Sequence, residues 1–250
     1  AQMDRDLIGT QDGYGGYQMF GNLYLDFHHT DVSNYKRELQ IMDGLATVDY
    51  DMAQTHYSRE YLTSFHDNVM AIHLTAEGAD TLDFSIRLEP ENTDPARRTF
   101  TITADDSSLT LAGALDDNQL KFHAYLKVLI AGEGTSSVQN SNQLHIRNAS
   151  DVTLLLSMAT DYKNVFDTYR TGESDDELAA RVKAVVERAA QKDYASLRQA
   201  HIADISSLMR RVHLDLDASA PDMPTDDMLR AYQRDDLEQS EKNYLETVLY

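Results

Sequence analysis

The hydrophobic periodicity of the chain changes once, near Asp161, and this change constrains the fold more than any other feature. Before it, apolar and polar residues alternate in short runs, which is the period of half-buried β-strands. Turn signals such as Asp43-Gly44 separate the runs at intervals of roughly 8–12 residues, a spacing typical of antiparallel sandwiches. The segment from Pro90 to Arg98 holds two of the four prolines and is expected to cross between sheets. The predicted strands cover residues 23–27, 35–41, 46–50, 55–64, 69–74, 82–88, 100–102, 109–111, 120–130, 143–147 and 152–158.

After Asp161 the apolar residues follow the helical period. Ser174 and Glu177 have the spacing of a capping box, and the helix that follows has an apolar face made of Leu178, Val182, Val185, Val186 and Ala189. A second helix is expected from Asp193. A third, short helix is predicted with Thr225 as its cap, and residues 212–217 alternate like a strand. Strands followed by helices predict a mainly β fold, with an antiparallel β-sandwich domain at 1–170 and a helical linker region at 171–250.

The last predicted helix, over residues 241–250, has an apolar stripe without an obvious partner. The stripe consists of Tyr244, Leu245, Val248 and Leu249, and no Gly, Asn or cationic turn closes the helix. We therefore expect this helix to fray, or to dock on the sandwich, the linker or another chain. The pattern also suggests a fragment of a longer protein.

Charge is the one extreme of the composition. Lys and Arg total 22 against 42 Asp and Glu, which gives a formal net charge of −20. Nucleic-acid binding requires a basic surface that neutralises phosphates, and anionic membranes repel such a chain for the same reason. Cysteine is absent from the sequence, which excludes disulfides and thiolate chemistry. Neutral partners such as sugars remain open.

Two groups of polar residues have the composition of metal or nucleotide sites. His28, His29 and Asp31 could together hold a divalent ion. Adjacent strand residues point to opposite faces, however, so the two imidazoles should diverge, and a polar loop explains them better. Asp49 and Asp51 resemble a metal–nucleotide pair and are interpreted as solvated strand-end side chains.

The remaining motifs fail the structural context that their chemistry requires. The glycine-rich stretch at 13–17 is not placed between a strand and a helix, as a phosphate-binding loop would be. The loop carboxylates Asp105-Asp106 and Asp116-Asp117 do not fit a calcium loop. Asn148 begins a glycosylation sequon, and His201 is interpreted as a satisfied, half-buried histidine. The residues alone predict no catalytic, cofactor-binding or metal-binding position.

The stretch from Tyr17 to Phe27, Tyr-Gln-Met-Phe-Gly-Asn-Leu-Tyr-Leu-Asp-Phe, followed by Asn34-Tyr-Lys-Arg-Glu-Leu, resembles the N-terminal domain of glycoside hydrolase family 95, the α-L-fucosidases. The family pattern is close to Y-Q-P-x-G-D-L-Y-L-D-F, then N-Y-x-R-E-L-D-L. The chain departs from it at Met19, Asn22 and His28. Further similar segments extend the resemblance over essentially all 250 residues: 46–48, 57–60, 62–64, 121–124, 153–156, 159–164, 214–216, and 224–226 with Leu229.

The resemblance implies a parent enzyme with an N-terminal β-super-sandwich, a helical linker, an (α/α)6 catalytic barrel and a C-terminal β-domain. Such enzymes hydrolyse terminal α-L-fucosyl bonds, and some act on α-L-galactosides. A Glu acts as general acid, and a water held by Asn and Asp side chains attacks with inversion. These residues belong to the barrel, so this chain is expected to lack the catalytic residues.

The implied partners are the parent's catalytic barrel and, through the parent, a fucosylated glycan, without a cofactor, nucleic acid or membrane. The family also favours a periplasmic or secreted location. The alternative is a stand-alone carbohydrate-binding or interaction sandwich. The 14 tyrosines could supply sugar-stacking surfaces for it, although the chain has no Trp.

Overall fold

The computed structural model describes residues 19–90, 98–140, 142–212 and 216–249. The chain divides into two compact units, Ala1–Ser206 and Ser207–Tyr250. The predicted domain boundary at residue 170 stays a prediction. The first two of the four described helices begin within the first unit.

Two antiparallel sheets account for most of the first unit. A four-stranded sheet has the order β1-β6-β11-β10, and an eight-stranded sheet has the order β2-β3-β4-β5-β12-β9-β8-β7. This arrangement confirms the predicted antiparallel β-sandwich. The predicted crossing after Pro90 is also confirmed, because β6 and β7 belong to different sheets. The strands are β1 (Asn22–Asp26), β2 (Ser33–Gln40), β3 (Leu45–Met52), β4 (Thr55–Ser64), β5 (Val69–Gly78), β6 (Leu82–Glu89), β7 (Arg98–Asp105), β8 (Ser108–Leu115), β9 (Lys121–Ala131), β10 (Thr135–Gln139), β11 (Gln143–Ala149) and β12 (Asp151–Thr160).

The main core lies between the two sheets, and the sequence alternation supplies it. On β6, Leu82, Phe84, Ile86 and Leu88 are buried, while the residues between them are more exposed. Strand β12 is different because both of its faces are covered. Leu154 and Leu156 pack into the main core, whereas Leu155 belongs to a second cluster formed with the helices. A continuous apolar run is the expected signature of such a doubly covered strand.

Helices α1 (Asp175–Ala189) and α2 (Tyr194–Met209) add a layer to the outer face of the eight-stranded sheet. The predicted capping box is confirmed: Ser174 Oγ accepts from the Glu177 backbone N–H, and the Glu177 side chain accepts from the Ser174 backbone. Four of the five residues predicted for the apolar face of α1 are buried, namely Leu178, Val182, Val186 and Ala189, and the fifth, Val185, packs partly buried against the same cluster. The same cluster contains Leu197 of α2 and, on the sheet, Leu45, Leu62, Val69, Ala71, Tyr125 and Leu155.

The second unit contains α3 (Thr225–Gln233) and α4 (Gln239–Leu249). The prediction that Thr225 caps α3 is wrong. Pro224 is the N-cap and makes no side-chain hydrogen bond, so Thr225 is the first helical residue. A proline in front of the helix leaves no hydroxyl or carboxylate at the cap position.

The apolar stripe of α4 is partly paired. Leu245 is buried in a small cluster with Met228, Ala231 and Leu237, whereas Val248 is 40% exposed. The side chain of Leu249 lies outside the described residues, as do residues 213–215 of the strand predicted over 212–217. In the described part of the chain, no helix is long and apolar enough to span a membrane.

Candidate interaction surface

The two adjacent histidines at the end of β1 lie in different environments. His28 is exposed at a positive φ of 54°, while His29 is half-buried with its Nδ1 atom 2.9 Å from the Tyr50 hydroxyl. Burial, followed by the nearby Arg59 charge, lowers the pKa of His29, so its imidazole is neutral at pH 7. Across the described ranges, no three His, Asp or Glu side chains come together as a metal site would require.

Arg59 is at the centre of an aromatic cluster beside His29. Its guanidinium lies 3.8 Å from the centre of the Phe27 ring and donates to the Tyr50 hydroxyl at 2.5 Å. Tyr50 stacks on Tyr57 with ring centres 5.4 Å apart, and burial raises the pKa of Tyr50. The cluster joins β1 to β3 and β4 through cation–π and stacking contacts. Its geometry is that of a packing element of the sandwich.

Two of the other carboxylates singled out in the sequence, Asp51 and Asp105, are held by local hydrogen bonds. Asp51 accepts from Asn34 at 2.7 Å and lies 2.7 Å from His56 Nδ1, and these bonds lower the pKa of Asp51. Asp105 accepts from Ser107 and Ser108 in the turn between β7 and β8. Both therefore act as turn and strand-end acceptors.

Three further features singled out in the sequence are His201, Asn148 and the glycine-rich stretch at 13–17. His201 is satisfied as predicted, with Nε2 2.9 Å from the Gly44 carbonyl oxygen, and at 3% exposure it is more deeply buried than expected. Asn148 is exposed near the end of β11. The glycine-rich stretch at 13–17 lies outside the described residues.

Charged side chains hold α2 against the sheet below it. Glu60 on β4 accepts from the Tyr194 hydroxyl at 2.6 Å and from Arg198 Nε at 2.9 Å. Lys192 pairs with the buried Asp67 at 2.5 Å. Burial, with Glu60 as the second cause, raises the pKa of Tyr194, which keeps the phenol protonated as a donor. These bonds hold the start of α2 on the eight-stranded sheet.

Among the described residues of the first unit, the segment of residues 161–173, here called the aromatic loop, exposes several large apolar side chains. It connects β12 to α1. Phe166 is 88% exposed, and Tyr162, Val165 and Tyr169 are also exposed. Single exposed apolar residues are ordinary, but several in one short segment are typical of an interaction surface.

The base of the aromatic loop is firmly anchored. The carbonyl oxygen of Asp161 accepts from the Thr171 N–H at 2.7 Å, and its Oδ1 accepts from the Lys121 N–H at 3.0 Å. Arg170 donates to the Asn118 carbonyl oxygen at 2.8 Å. The loop therefore presents its apolar side chains from a fixed base.

A charged pair ties the end of the aromatic loop to α1. Arg181 donates to both carboxylate oxygens of Glu173, at 2.7 and 2.9 Å, and Thr171 donates at 2.7 Å. These bonds lower the pKa of Glu173 to about 2. Because the folded-state pKa is lowered, the stabilisation is present above the ordinary Glu range and is lost as the pH falls towards 2.

Comparisons with known proteins agree with this architecture. Residues 2–165 match the model of the glycosyl hydrolase family 65 N-terminal domain. Over 91% of its length the chain is 23% identical to Probable alpha-fucosidase A of Aspergillus niger, and over 82% it is 25% identical to Alpha-L-fucosidase 2 of Arabidopsis thaliana. It covers 29% and 26% of those two proteins.

A solved structure assigned as a kojibiose phosphorylase from the human microbiome shares the fold. The TM-score is 0.57 at 10% identity, over 75% of this chain and 28% of that chain. The predicted resemblance to the N-terminal domain of a glycoside hydrolase is thus confirmed. Because the family model matches residues 2–165, more than half of the chain, this chain belongs to the glycosyl hydrolase family 65 N-terminal domain family.

Proposed function

We propose that this chain is the non-catalytic N-terminal part of a family 95 α-L-fucosidase, in which it supports the catalytic barrel. The observation that carries the proposal is the similarity to two proteins named α-fucosidases, which extends over 82–91% of the chain but over only 26–29% of those proteins. The rest of such a protein would supply the general acid and the residues that hold the attacking water. Its substrate would be a glycan with a terminal α-L-fucosyl group.

The aromatic loop is the surface that we expect the barrel to cover. Its base is held by backbone and side-chain hydrogen bonds, so little conformational entropy is lost when a partner packs on its apolar side chains. Phe166 would be the main contact, because aromatic anchors dominate the energetics of interfaces.

The test compares the purified chain with the longer protein encoded by its open reading frame. We expect the longer protein to hydrolyse an aryl α-L-fucoside and the 250-residue chain to show no turnover. Turnover by the chain that a point substitution within it abolishes would contradict the proposal. An open reading frame that stops after Tyr250 would contradict it as well.

Phe166→Ser in the longer protein tests the docking surface separately. We expect it to lower the midpoint of thermal inactivation, because an anchor of the barrel interface is lost. Phe65→Ser is the matched control, since Phe65 is equally exposed at 86% in the turn between β4 and β5. Equal effects of the two substitutions would show that the aromatic loop has no special role.

A further inference from the structure

A groove of about 490 Å³ opens on the outer face of the eight-stranded sheet, where β7, β8 and β9 pass the start of α1. Strand pairing arranges its floor in two rows across the three strands. One row is Thr101–Ala112–His123, and the other is Thr99–Ala114–Lys121. The groove exists because β8 carries only methyl groups at these two positions, while α1 packs over β9 and β12 instead. Its volume lies in the range of small-molecule sites.

His123 is the unusual residue of this floor. Its side chain lines the groove, the residue is only 7% exposed, and within the described part of the chain no hydrogen bond reaches its imidazole. Burial lowers the pKa of His123, so at pH 7 the ring is neutral and offers one donor and one acceptor. Unlike Asp116 Oδ2, the ring nitrogens of His123 are not fully buried, so they remain accessible to a ligand in the groove.

Asp116, at the end of β8, is a second unpaired group beside the groove. Its Oδ1 accepts from the Thr99 hydroxyl at 3.1 Å, while its Oδ2 is buried without a hydrogen-bond partner. On the helix side, Lys121 Nζ lies 2.7 Å from Asp175 Oδ1. Hydrogen-bond donors and acceptors therefore surround the methyl groups of Ala112 and Ala114.

We propose that this groove binds a neutral, polyhydroxylated ligand, a sugar ring, with His123 as its central hydrogen-bonding partner. A sugar ring has an apolar C–H face that fits over Ala112 and Ala114. Its hydroxyl groups donate and accept at once, which matches a neutral imidazole, a carboxylate and a lysine lining the same groove. This site lies on the sandwich itself and goes beyond the proposed function. The proposed function does not depend on it and would hold even if the groove bound no ligand.

Charge argues against the other ligand classes. The two carboxylates of Asp116 and Asp175 outweigh the one lysine, and the whole chain carries a net charge of −20, so an anion is disfavoured. A divalent metal needs several converging ligands, and no such set of three groups occurs among the described residues. A purely apolar ligand would leave His123 unpaired.

The proposal can be tested on the 250-residue chain by nuclear magnetic resonance. L-fucose, D-galactose and D-glucose are titrated separately while the backbone amide shifts are recorded. We expect saturable shifts with at least one sugar at residues 99–101, 112–116 and 121–123, with a millimolar Kd. Ala112→Leu fills the groove and should weaken binding at least about tenfold, or about 1.4 kcal/mol. His123→Phe should do the same, and His123→Gln should retain most of the affinity.

Ala184→Leu is the matched control, because it adds the same atoms at an exposed position of α1 outside the groove. It should leave the Kd unchanged. The proposal fails if no sugar shifts these amides at about 100 mM, a concentration that detects even weak binding. It also fails if Ala112→Leu leaves the shifts unaltered, or if inorganic phosphate binds in the groove more tightly than the sugars.

Discussion

Gly44 joins the turn between β2 and β3 to helix α2. Its φ of +64° is the left-handed conformation that the Asp43-Gly44 turn requires, and its carbonyl oxygen lies 2.9 Å from His201 Nε2. Ser206 donates to the Met42 carbonyl oxygen at 3.1 Å in the same turn. One glycine thus serves both the hairpin and the attachment of the helix.

Gly44→Ala should therefore destabilise the protein in two ways. A left-handed conformation costs an L-residue about 1–2 kcal/mol. The new Cβ would also lie 3.0 Å from His201 Nε2 and 3.2 Å from Ile205 Cγ1, and such overpacking typically costs about 1–3 kcal/mol. We expect the free energy of unfolding, measured with urea, to fall by about 2 kcal/mol or more.

Gly132→Ala separates the two causes. Gly132 has a similar φ of +81°, but its Cβ would meet nothing within 4 Å. This control should show the backbone strain alone, about 1–2 kcal/mol. Equal losses at the two positions would mean that the contact with α2 adds nothing.

Single residues differ in how far the sequence predicts their role. The environment of His201 was predictable because it lies on an apolar helical stripe beside Leu197. His123 belongs to the family-like segment 121–124, but nothing in the spacing of strand Lys121–Ala131 marks it as a site residue. Its position in a groove depends on its pairing with Ala112 of β8 and on the position of α1. Both depend on tertiary packing, which the spacing of residues along the sequence does not predict.

At the scale of elements, local alternation predicted the strands well wherever one face is buried. Residues 55–64 match β4 at both ends, and 82–88 match all but the last residue of β6. Strand β10 was missed because Thr135–Gln139 contains one apolar residue, Val138, which is itself exposed. It lies at a sheet edge and owes its conformation to pairing with β11. The order of strands within each sheet is equally non-local.

Helix α4 offers a test of its own packing within the second unit. Leu245 shares a cluster with Met228 and Ala231 of α3, and Leu→Ala substitutions in cores typically cost about 2–5 kcal/mol. We expect Leu245→Ala to accelerate amide hydrogen exchange in α3 and α4 by about thirtyfold, which corresponds to about 2 kcal/mol.

Val248→Ala is the comparison, because Val248 is on the same helix but 40% exposed. It should change exchange in α3 by a few-fold at most. If Leu245→Ala leaves exchange in α3 unaltered, then the two helices do not stabilise one another through this cluster.

At the scale of the whole molecule, excess negative charge opposes the compact state. The 42 acidic residues outnumber the 22 basic ones, so many carboxylates have no cation to pair with. The pairs best placed to contribute lie at the junction of sheet and helices, such as Lys192–Asp67 and Lys127–Glu187. Exposed pairs such as Arg230–Asp226 contribute about 0–1 kcal/mol each. The destabilisation from repulsion among the surplus carboxylates should therefore exceed the stabilisation from the exposed ion pairs.

Moderate salt should consequently stabilise this protein. The screening length falls from about 30 Å at 0.01 M to about 8 Å at 0.15 M, which weakens long-range repulsion more than contacts at 3 Å. We expect the free energy of unfolding, measured with urea, to rise over this range of NaCl. Asp106→Asn with Asp117→Asn removes two exposed loop charges, and this variant should be more stable at low salt and respond less to NaCl. A fall in stability with added NaCl would mean instead that ion pairs dominate the electrostatics of the fold.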